Sequence, residues 1–201
     1  MRHRPNSRRT LALSCAALAL AALPGCRTQN AGVEFAPATE PSEQCVGSRP
    51  AGSLPGRDAA DAEGDPAFPT YVHIDTTLRE RHSDVYTGVE AGDDVTVLDV
   101  YRIPSAAFDK DVCGSAEKGV TVRLHNTDIN RERLEALAER VTDESDRWES
   151  TFRIASIGAD AKGYVLVGVD EPHLALPVLE REFGAGHIRV EREERASLLT
   201  G

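Results

Sequence analysis

Four cysteines carry the most position-dependent chemistry in this sequence, and their surroundings separate them into three groups. Cys15 lies inside an apolar run near the N-terminus, and Cys26 follows directly after that run. Cys45 and Cys113 lie in the polar remainder of the chain. A cysteine can carry lipid, form a disulfide or act as a nucleophile, so the segment around each one decides which role to expect.

Cys26 ends the run Leu23-Pro24-Gly25-Cys26, which resembles a bacterial lipobox. An arginine-rich segment, 1–9, precedes an apolar run of mostly leucine and alanine, 11–23. That run is shorter than the ~20 residues that a membrane-spanning helix needs, so the pattern predicts a signal peptide over residues 1–25. We expect a signal peptidase to cut between Gly25 and Cys26, and Cys26 to carry lipid. The alternative is ordinary cleavage nearby and a secreted protein.

A pair of arginines inside the leader indicates one possible export route. The run Ser7-Arg8-Arg9-Thr10-Leu11 resembles the twin-arginine signature, in which Arg8 and Arg9 are read by a receptor that exports folded proteins. Paired arginines are also common in other basic leaders, so the general secretory route stays open. Either route predicts a protein on the extracytoplasmic face of the cell membrane. One acyl chain binds a membrane reversibly, whereas two or more give the stable anchor expected at Cys26.

The charge of the chain limits the classes of partner. The net charge is −10, and removal of the four leader arginines would make it −14. Such a surface repels nucleic acid and anionic lipid headgroups, so we expect no nucleic-acid partner. The expected contacts are the membrane, through the lipid on Cys26, and a protein of the cell envelope.

Residues 26–70 are rich in proline, glycine and acidic side chains, and their apolar residues follow no helical or strand period. Because such a composition cannot bury enough surface to offset its ordering entropy, it predicts a disordered tether. Cys45 lies in this tether and Cys113 in the region after it. An oxidising compartment would allow the two to pair, closing a loop of roughly 70 residues. Two free thiols too far apart to pair are the alternative.

Residues 71–201 predict an α+β domain that contains the same unit twice. Each unit reads strand, turn, strand, helix, strand, and a long helix over 129–148 joins the two. We therefore expect two ββαβ units with small mixed sheets and helices packed on one face, the last two strands of each unit being parallel. The predicted elements are a short strand 71–74, strands 85–90, 95–101 and 120–124 with helix 106–113, then strands 152–157, 164–169 and 187–191 with a helix from Pro172 to Phe183. In the connecting helix, which Thr127 or Asp128 could cap, an apolar stripe is formed by Leu134, Leu137, Val141 and Trp148.

The second unit resembles a repeat in the pro-regions of secreted serine proteases related to alpha-lytic protease. The resemblance rests on the strand Tyr164-Val165-Leu166-Val167-Gly168-Val169-Asp170, the helix end Leu179-Glu180-Arg181-Glu182-Phe183-Gly184 and the strand Ile188-Arg189-Val190. Those pro-regions catalyse the folding of their own protease domain and then inhibit it. The resemblance therefore implies a protein-binding role. No protease domain follows Gly201 in this sequence. The whole chain also resembles uncharacterised lipoproteins of high-GC Gram-positive bacteria, a family that implies no activity.

The side chains after Cys26 predict no assembled catalytic motif, metal site or cofactor site. Five histidines follow Cys26, and none has metal-ligand spacing to another histidine or cysteine. His125 and His187 both flank predicted strands, so they could converge in space, although the sequence favours solvated histidines at strand ends. Cys113 could serve as a nucleophile beside a histidine, but the sequence favours a disulfide or a buried thiol. The five histidines are His73, His82, His125, His173 and His187.

Two functions of different class remain open. The first is a membrane-tethered, non-enzymatic module that binds an envelope protein, for example a protease. The second is a small envelope hydrolase whose site is assembled from distant residues, with His125 or His187 beside Cys113 or a carboxylate. The sequence favours the first and leaves enzymatic activity undecided.

Overall fold

Two ββαβ units and a connecting helix make up most of the chain that the computed structural model describes, which is residues 40–54 and 66–193. The predicted α+β class and the two-unit arrangement are confirmed. A short arm and a helical segment precede the first unit. The arm contains β1 (Glu43–Val46), and the helical segment contains α1 (Phe68–His73), a π-helical turn (Ile74–Leu78) and α2 (Arg79–Arg81).

The first unit forms three strands of a four-stranded sheet, and the arm adds the fourth. The strand order is β1-β4-β3-β2. β2 and β3 form an antiparallel hairpin, and β3 and β4 are parallel because α3 crosses over between them. β1 pairs antiparallel with the outer side of β4. The bounds of the first unit are β2 (Tyr86–Ala91), β3 (Val97–Arg102), α3 (Ala106–Ser115) and β4 (Thr121–Asn126).

The second unit has the same order and the same directions. Its sheet runs β5-β6-β7, with β5 and β6 antiparallel and β6 and β7 parallel across α5. The first strand of each unit also carries a register shift near its start, between Tyr86 and Gly88 and between Ile154 and Ser156. The bounds are β5 (Ile154–Ala159), β6 (Val165–Val169), α5 (Pro172–Phe183) and β7 (Ile188–Arg192).

Each sheet has its own hydrophobic core, built from the alternate residues that face the helices. In the first unit Leu98 and Val100 of β3 and Val122 and Leu124 of β4 are buried against α3, where Phe108 is fully buried. The second core is built from the equivalent elements of its unit. Its buried residues are Val165, Val167 and Val169 of β6, Ile188 and Val190 of β7, and Ala175 and Leu179 of α5.

The connecting helix, α4 (Arg131–Asp143), is shorter than predicted. It buries Leu134, Leu137 and Val141, the predicted apolar stripe. Asn130 caps it, because its side chain accepts a hydrogen bond from the backbone N–H of Arg133 at 3.1 Å. The prediction of a cap at Thr127 or Asp128 was wrong, and Trp148 lies in a separate 3₁₀ turn, Ser145–Trp148.

Two local assignments before β4 also differ from the sequence analysis. Tyr71 to Ile74 had been assigned to a short strand. The chain there is helical from Phe68, because Pro69 suits the first turn of a helix and Ile74 and Leu78 are fully buried on one side. Val95 lies in the turn before β3 rather than in the strand itself.

Part of the predicted tether is folded, so the boundary of the disordered segment at residue 70 was wrong. β1 pairs with β4 from Glu43 to Val46, and Cys45 forms a disulfide with Cys113 on α3. Leu54 is also buried. The composition of a segment indicates only how much surface that segment can bury by itself. The arm is instead held by β4 and by Cys113, which are far away in sequence. Residues 26–39 and 55–65 of the tether and all of the leader lie outside the described residues.

The two units are packed together through the turn that precedes β6. The backbone of Ala161 lies so close to Gly88 of β2 that a Cβ at Gly88 would be 2.5 Å from the Cα of Ala161. Beside this contact the hydroxyl of Thr87 donates to the carbonyl of Ile129 at 2.5 Å and lies 2.7 Å from the hydroxyl of Thr127.

Among the described residues no helix is long and apolar enough to cross a membrane.

Gly88→Ala is expected to destabilise the domain by about 1–3 kcal/mol, because the added methyl group would force the two units apart. Gly158→Ala is the matched control, since Gly158 lies in β5 and nothing would touch its Cβ within 4 Å. Denaturant unfolding followed by circular dichroism measures both. Equal effects of the two substitutions would contradict the close packing of Ala161 on β2.

Reduction of the disulfide is expected to lower the free energy of unfolding by about 4 kcal/mol, because the two cysteines are 68 residues apart and their bond restricts the unfolded chain. The double variant Cys45→Ser, Cys113→Ser should match the reduced protein and should no longer respond to reductant. Thiol titration of the unfolded, unreduced protein should find both cysteines blocked. Free thiols at these positions, or equal stability with and without reductant, would refute the bridge.

Candidate functional site

An apolar groove lies where the first core opens to solvent, between α1 and the β2–β3 hairpin. Its volume is about 520 Å³. α1 supplies one wall, the end of β2 and the start of β3 form the floor, and the hairpin turn closes one end. The lining residues are Ala67 at the start of α1, Phe68 and Tyr71 from α1, Val89 to Ala91 from β2, and Gly92 to Val95, Val97 and Leu98 from the turn and β3.

The floor and two walls of the groove are apolar. Val89 and Leu98 are buried members of the first core. Phe68 and Val95 on the walls remain 50% and 60% exposed. Scattered single apolar residues are normal on a protein surface, but here two exposed side chains flank an opening into the core. The arrangement can bury an apolar side chain of a partner.

Acidic side chains surround one end of the groove. The side chain of Asp93 is 99% exposed, and its nearest cation is Arg123 at 3.7 Å. Asp94 accepts hydrogen bonds from the hydroxyl and the backbone N–H of Thr96, at 2.7 and 2.9 Å, and these bonds lower the pKa of Asp94. The lowered pKa keeps Asp94 negatively charged at neutral pH, so the rim favours a cation.

β2 forms one edge of the first sheet, and it lines the groove. Gly92 donates its backbone N–H to the carbonyl of Val97, so Gly92 and Val97 are a hydrogen-bonded pair. Because hydrogen-bonded and non-hydrogen-bonded pairs alternate along an antiparallel ladder, Glu90 also bonds towards β3. The N–H and C=O groups of Val89 and Ala91 consequently point away from β3, towards the outer edge.

A buried polar cluster occupies the opposite face of the same sheet. Asp99 of β3 accepts a hydrogen bond from Arg123 of β4 at 2.7 Å, and its other oxygen lies 2.6 Å from Nε2 of His125. The ring of Tyr101 stacks on His125 with centroids 4.7 Å apart. Asp99 and His125 are 7% and 5% exposed. The arrangement pairs a buried carboxylate with two cationic or hydrogen-bonding groups, which stabilises it away from water.

This cluster extends to the second unit through Glu90. The hydroxyl of Tyr101 donates to Glu90 at 2.9 Å, and the ammonium group of Lys162 lies 3.1 Å from the same carboxylate oxygen. Burial and then the bond to Glu90 raise the pKa of Tyr101, which keeps its hydroxyl a donor. The chain of contacts joins the sheet face to the turn that packs on Gly88.

The structure separates the residues from which the sequence analysis could build a hydrolase site. His125 follows the core residue Leu124 on β4 and so faces away from the first core, whereas Cys113 packs against that core and its sulfur is bonded to Cys45. His187 lies elsewhere, with Nδ1 2.9 Å from the carbonyl of Gly163. His125 does lie beside a carboxylate, that of Asp99, but within the buried cluster.

Some of the remaining predicted site residues are described by the structure, and others are not. Cys26, Gly25, Arg8 and Arg9 lie outside the described residues. Cys45 and Cys113, the candidate disulfide, are bonded with their Cα atoms 5.9 Å apart. His82 lies 2.9 Å from the carboxylate of Asp111, and this contact lowers the pKa of Asp111. Within residues 40–54 and 66–193 no three histidine, cysteine or acidic side chains are grouped to hold a metal ion.

Comparisons with protein-family models, with curated proteins and with solved structures gave no significant match to this chain. The functional argument therefore rests on the residues themselves.

Asp99→Asn is expected to lower the free energy of unfolding by about 2–4 kcal/mol, because it leaves Arg123 and His125 without a buried carboxylate. Asp93→Asn is the matched control. It alters the other carboxylate near Arg123, but one that is almost fully exposed, so the expected change is within about 0.5 kcal/mol. Chemical denaturation measures both variants. Similar effects for the two would show that the cluster contributes no more than a surface ion pair.

Proposed function

We propose that this protein is an extracytoplasmic lipoprotein, anchored to the cell membrane through Cys26, whose folded domain is a non-enzymatic module that binds a protein of the cell envelope. The groove beside β2 carries this proposal, because it joins an apolar opening, a charged rim and the exposed end of an edge strand, at Ala91, in one place. A protease is one class of partner that fits the resemblance to protease pro-regions.

The disulfide between Cys45 and Cys113 supports the proposed compartment. Disulfides of this kind persist in oxidising environments outside the cytoplasm and are rare where thiols are kept reduced. This agrees with the leader, whose basic, apolar and lipobox segments predict export and lipid attachment. The twin-arginine route remains a proposal alongside the general secretory route.

The contacts of Cys113 and His125 favour binding over hydrolysis. A sulfur held in a disulfide is not available as a nucleophile. His125 is buried against Asp99 and Tyr101, on the face of the sheet that does not carry Cys113. The groove, in contrast, is lined by side chains suited to contact with another molecule. The alternative of an envelope hydrolase therefore has less support than an interaction module.

Cys26→Ala is expected to abolish lipid attachment, so the fatty-acid label should be lost and the precursor should remain uncleaved. Cys15→Ala provides the control, because Cys15 lies within the leader and its substitution should affect neither labelling nor processing. Metabolic labelling with a fatty acid and electrophoretic mobility measure the result. Unchanged labelling and processing of Cys26→Ala would refute the lipid anchor.

The chain from residue 27 to 201, immobilised at its C-terminus, is expected to retain an envelope protein saturably and at micromolar affinity. Excess free chain should compete for the retained protein, because a specific module has a limited number of equal sites. Quantitative mass spectrometry of envelope extracts measures retention with and without competitor. The absence of any competed protein at micromolar bait would contradict the interaction role.

A further inference from the structure

We propose that the groove beside β2 binds an extended segment of another protein that alternates apolar and basic residues and adds to the edge of β2 as a further strand. This inference rests on the proposed binding function and specifies the chemistry of the partner. Three properties of the described residues lead to it: the apolar opening, the outward backbone groups of β2 and the acidic turn.

The apolar opening sets the first requirement. Val89 and Leu98 form its floor and Phe68 and Val95 its walls, so a partner gains by placing an aliphatic side chain between them. Burial of one valine-sized side chain contributes about 1.5–3 kcal/mol. A fully polar segment would leave this surface uncovered.

The edge of β2 sets the second requirement. The backbone groups of Val89 and Ala91 point away from β3. Val89 is buried and Ala91 is exposed, so the edge is open to a partner at the Ala91 end of the strand. An extended chain can pair with such positions, with affinity coming from the main chain and specificity from alternate side chains. Since Val89 and Ala91 also face the groove side of the sheet, the alternate side chains of an added strand would point into the groove.

The acidic turn sets the third requirement. Asp93 and Asp94 carry negative charge at the end of the groove. Arginine or lysine side chains of the partner would face these carboxylates. A second copy of this chain is a poor occupant, because its net charge is −10. The chain's own segment 55–65 is also disfavoured, because it contains four acidic residues and one arginine.

Synthetic peptides provide the test. A peptide of alternating valine and arginine should bind the chain from residue 27 to 201, whereas peptides alternating valine with glutamate or serine with arginine should bind at least tenfold more weakly. Binding should shift the backbone amide resonances of Val89, Ala91 and Val95 and protect that of Ala91 from hydrogen exchange.

Two matched variants locate the site. Val95→Ser should weaken binding of the valine–arginine peptide about tenfold, because it removes one apolar wall. Val46→Ser should leave affinity unchanged, since Val46 is similarly exposed, at 65%, but lies on β1 outside the groove. Asp93→Asn should weaken binding and reduce its dependence on salt.

The outcomes separate this inference from the proposed function. Equal binding of the valine–arginine and valine–glutamate peptides, no binding of either, or equal effects of Val95→Ser and Val46→Ser would overturn the inference. If the wild type and Val95→Ser retain an envelope protein equally, the proposed binding role is supported but its site lies outside the groove. If the peptide binds the groove and no envelope protein is retained, the groove is a peptide-binding surface and the proposed role is refuted.

Discussion

The pairing of β2 with β3 is the interaction on which both the first core and the groove depend. Its register places Val89 opposite Val100 on the core side and Glu90 opposite Asp99 on the other side. Because side chains alternate strictly along a strand, a slip of one residue would bury the acids and expose the valines. The same register turns the backbone groups of Val89 and Ala91 towards the free edge. The core, the polar cluster and the candidate binding edge are thus consequences of one set of backbone contacts.

The two units use equivalent parts for different purposes. The turn before β6 packs against Gly88 and joins the units, whereas the corresponding turn before β3 extends into solvent and supplies Asp93, Asp94 and Val95 to the groove. By register, Leu166 and Gly168 occupy the places of Asp99 and Tyr101, so the polar cluster belongs to the first unit alone. An internal repeat in which the turn of the second copy joins the two units leaves the turn of the first copy exposed to solvent.

The sequence predicted what depends on local patterns. Alternating residues in β3, β4, β6 and β7 and the stripe of α4 were sufficient for the two-unit fold, because each element buries one face. The folded arm was missed, since its stability comes from β4 and Cys113 rather than from its own composition. One sign of the polar cluster is visible in the sequence, because Asp99 alternates with the apolar residues of β3. No sequence pattern indicates the groove, because its lining comes from α1 and a hairpin that meet only in the folded chain.

Site-specific photo-crosslinking in intact cells tests the central claim most directly. A photoreactive amino acid at position 95 should form a discrete adduct with one envelope protein, while the same group at position 46, on an equally exposed surface, should not. The account predicts that adduct formation at position 95 is lost when Asp93 is changed to lysine, which reverses the charge of the rim. Adducts of equal yield from positions 95 and 46, or none from position 95, would contradict a protein-binding groove at this edge.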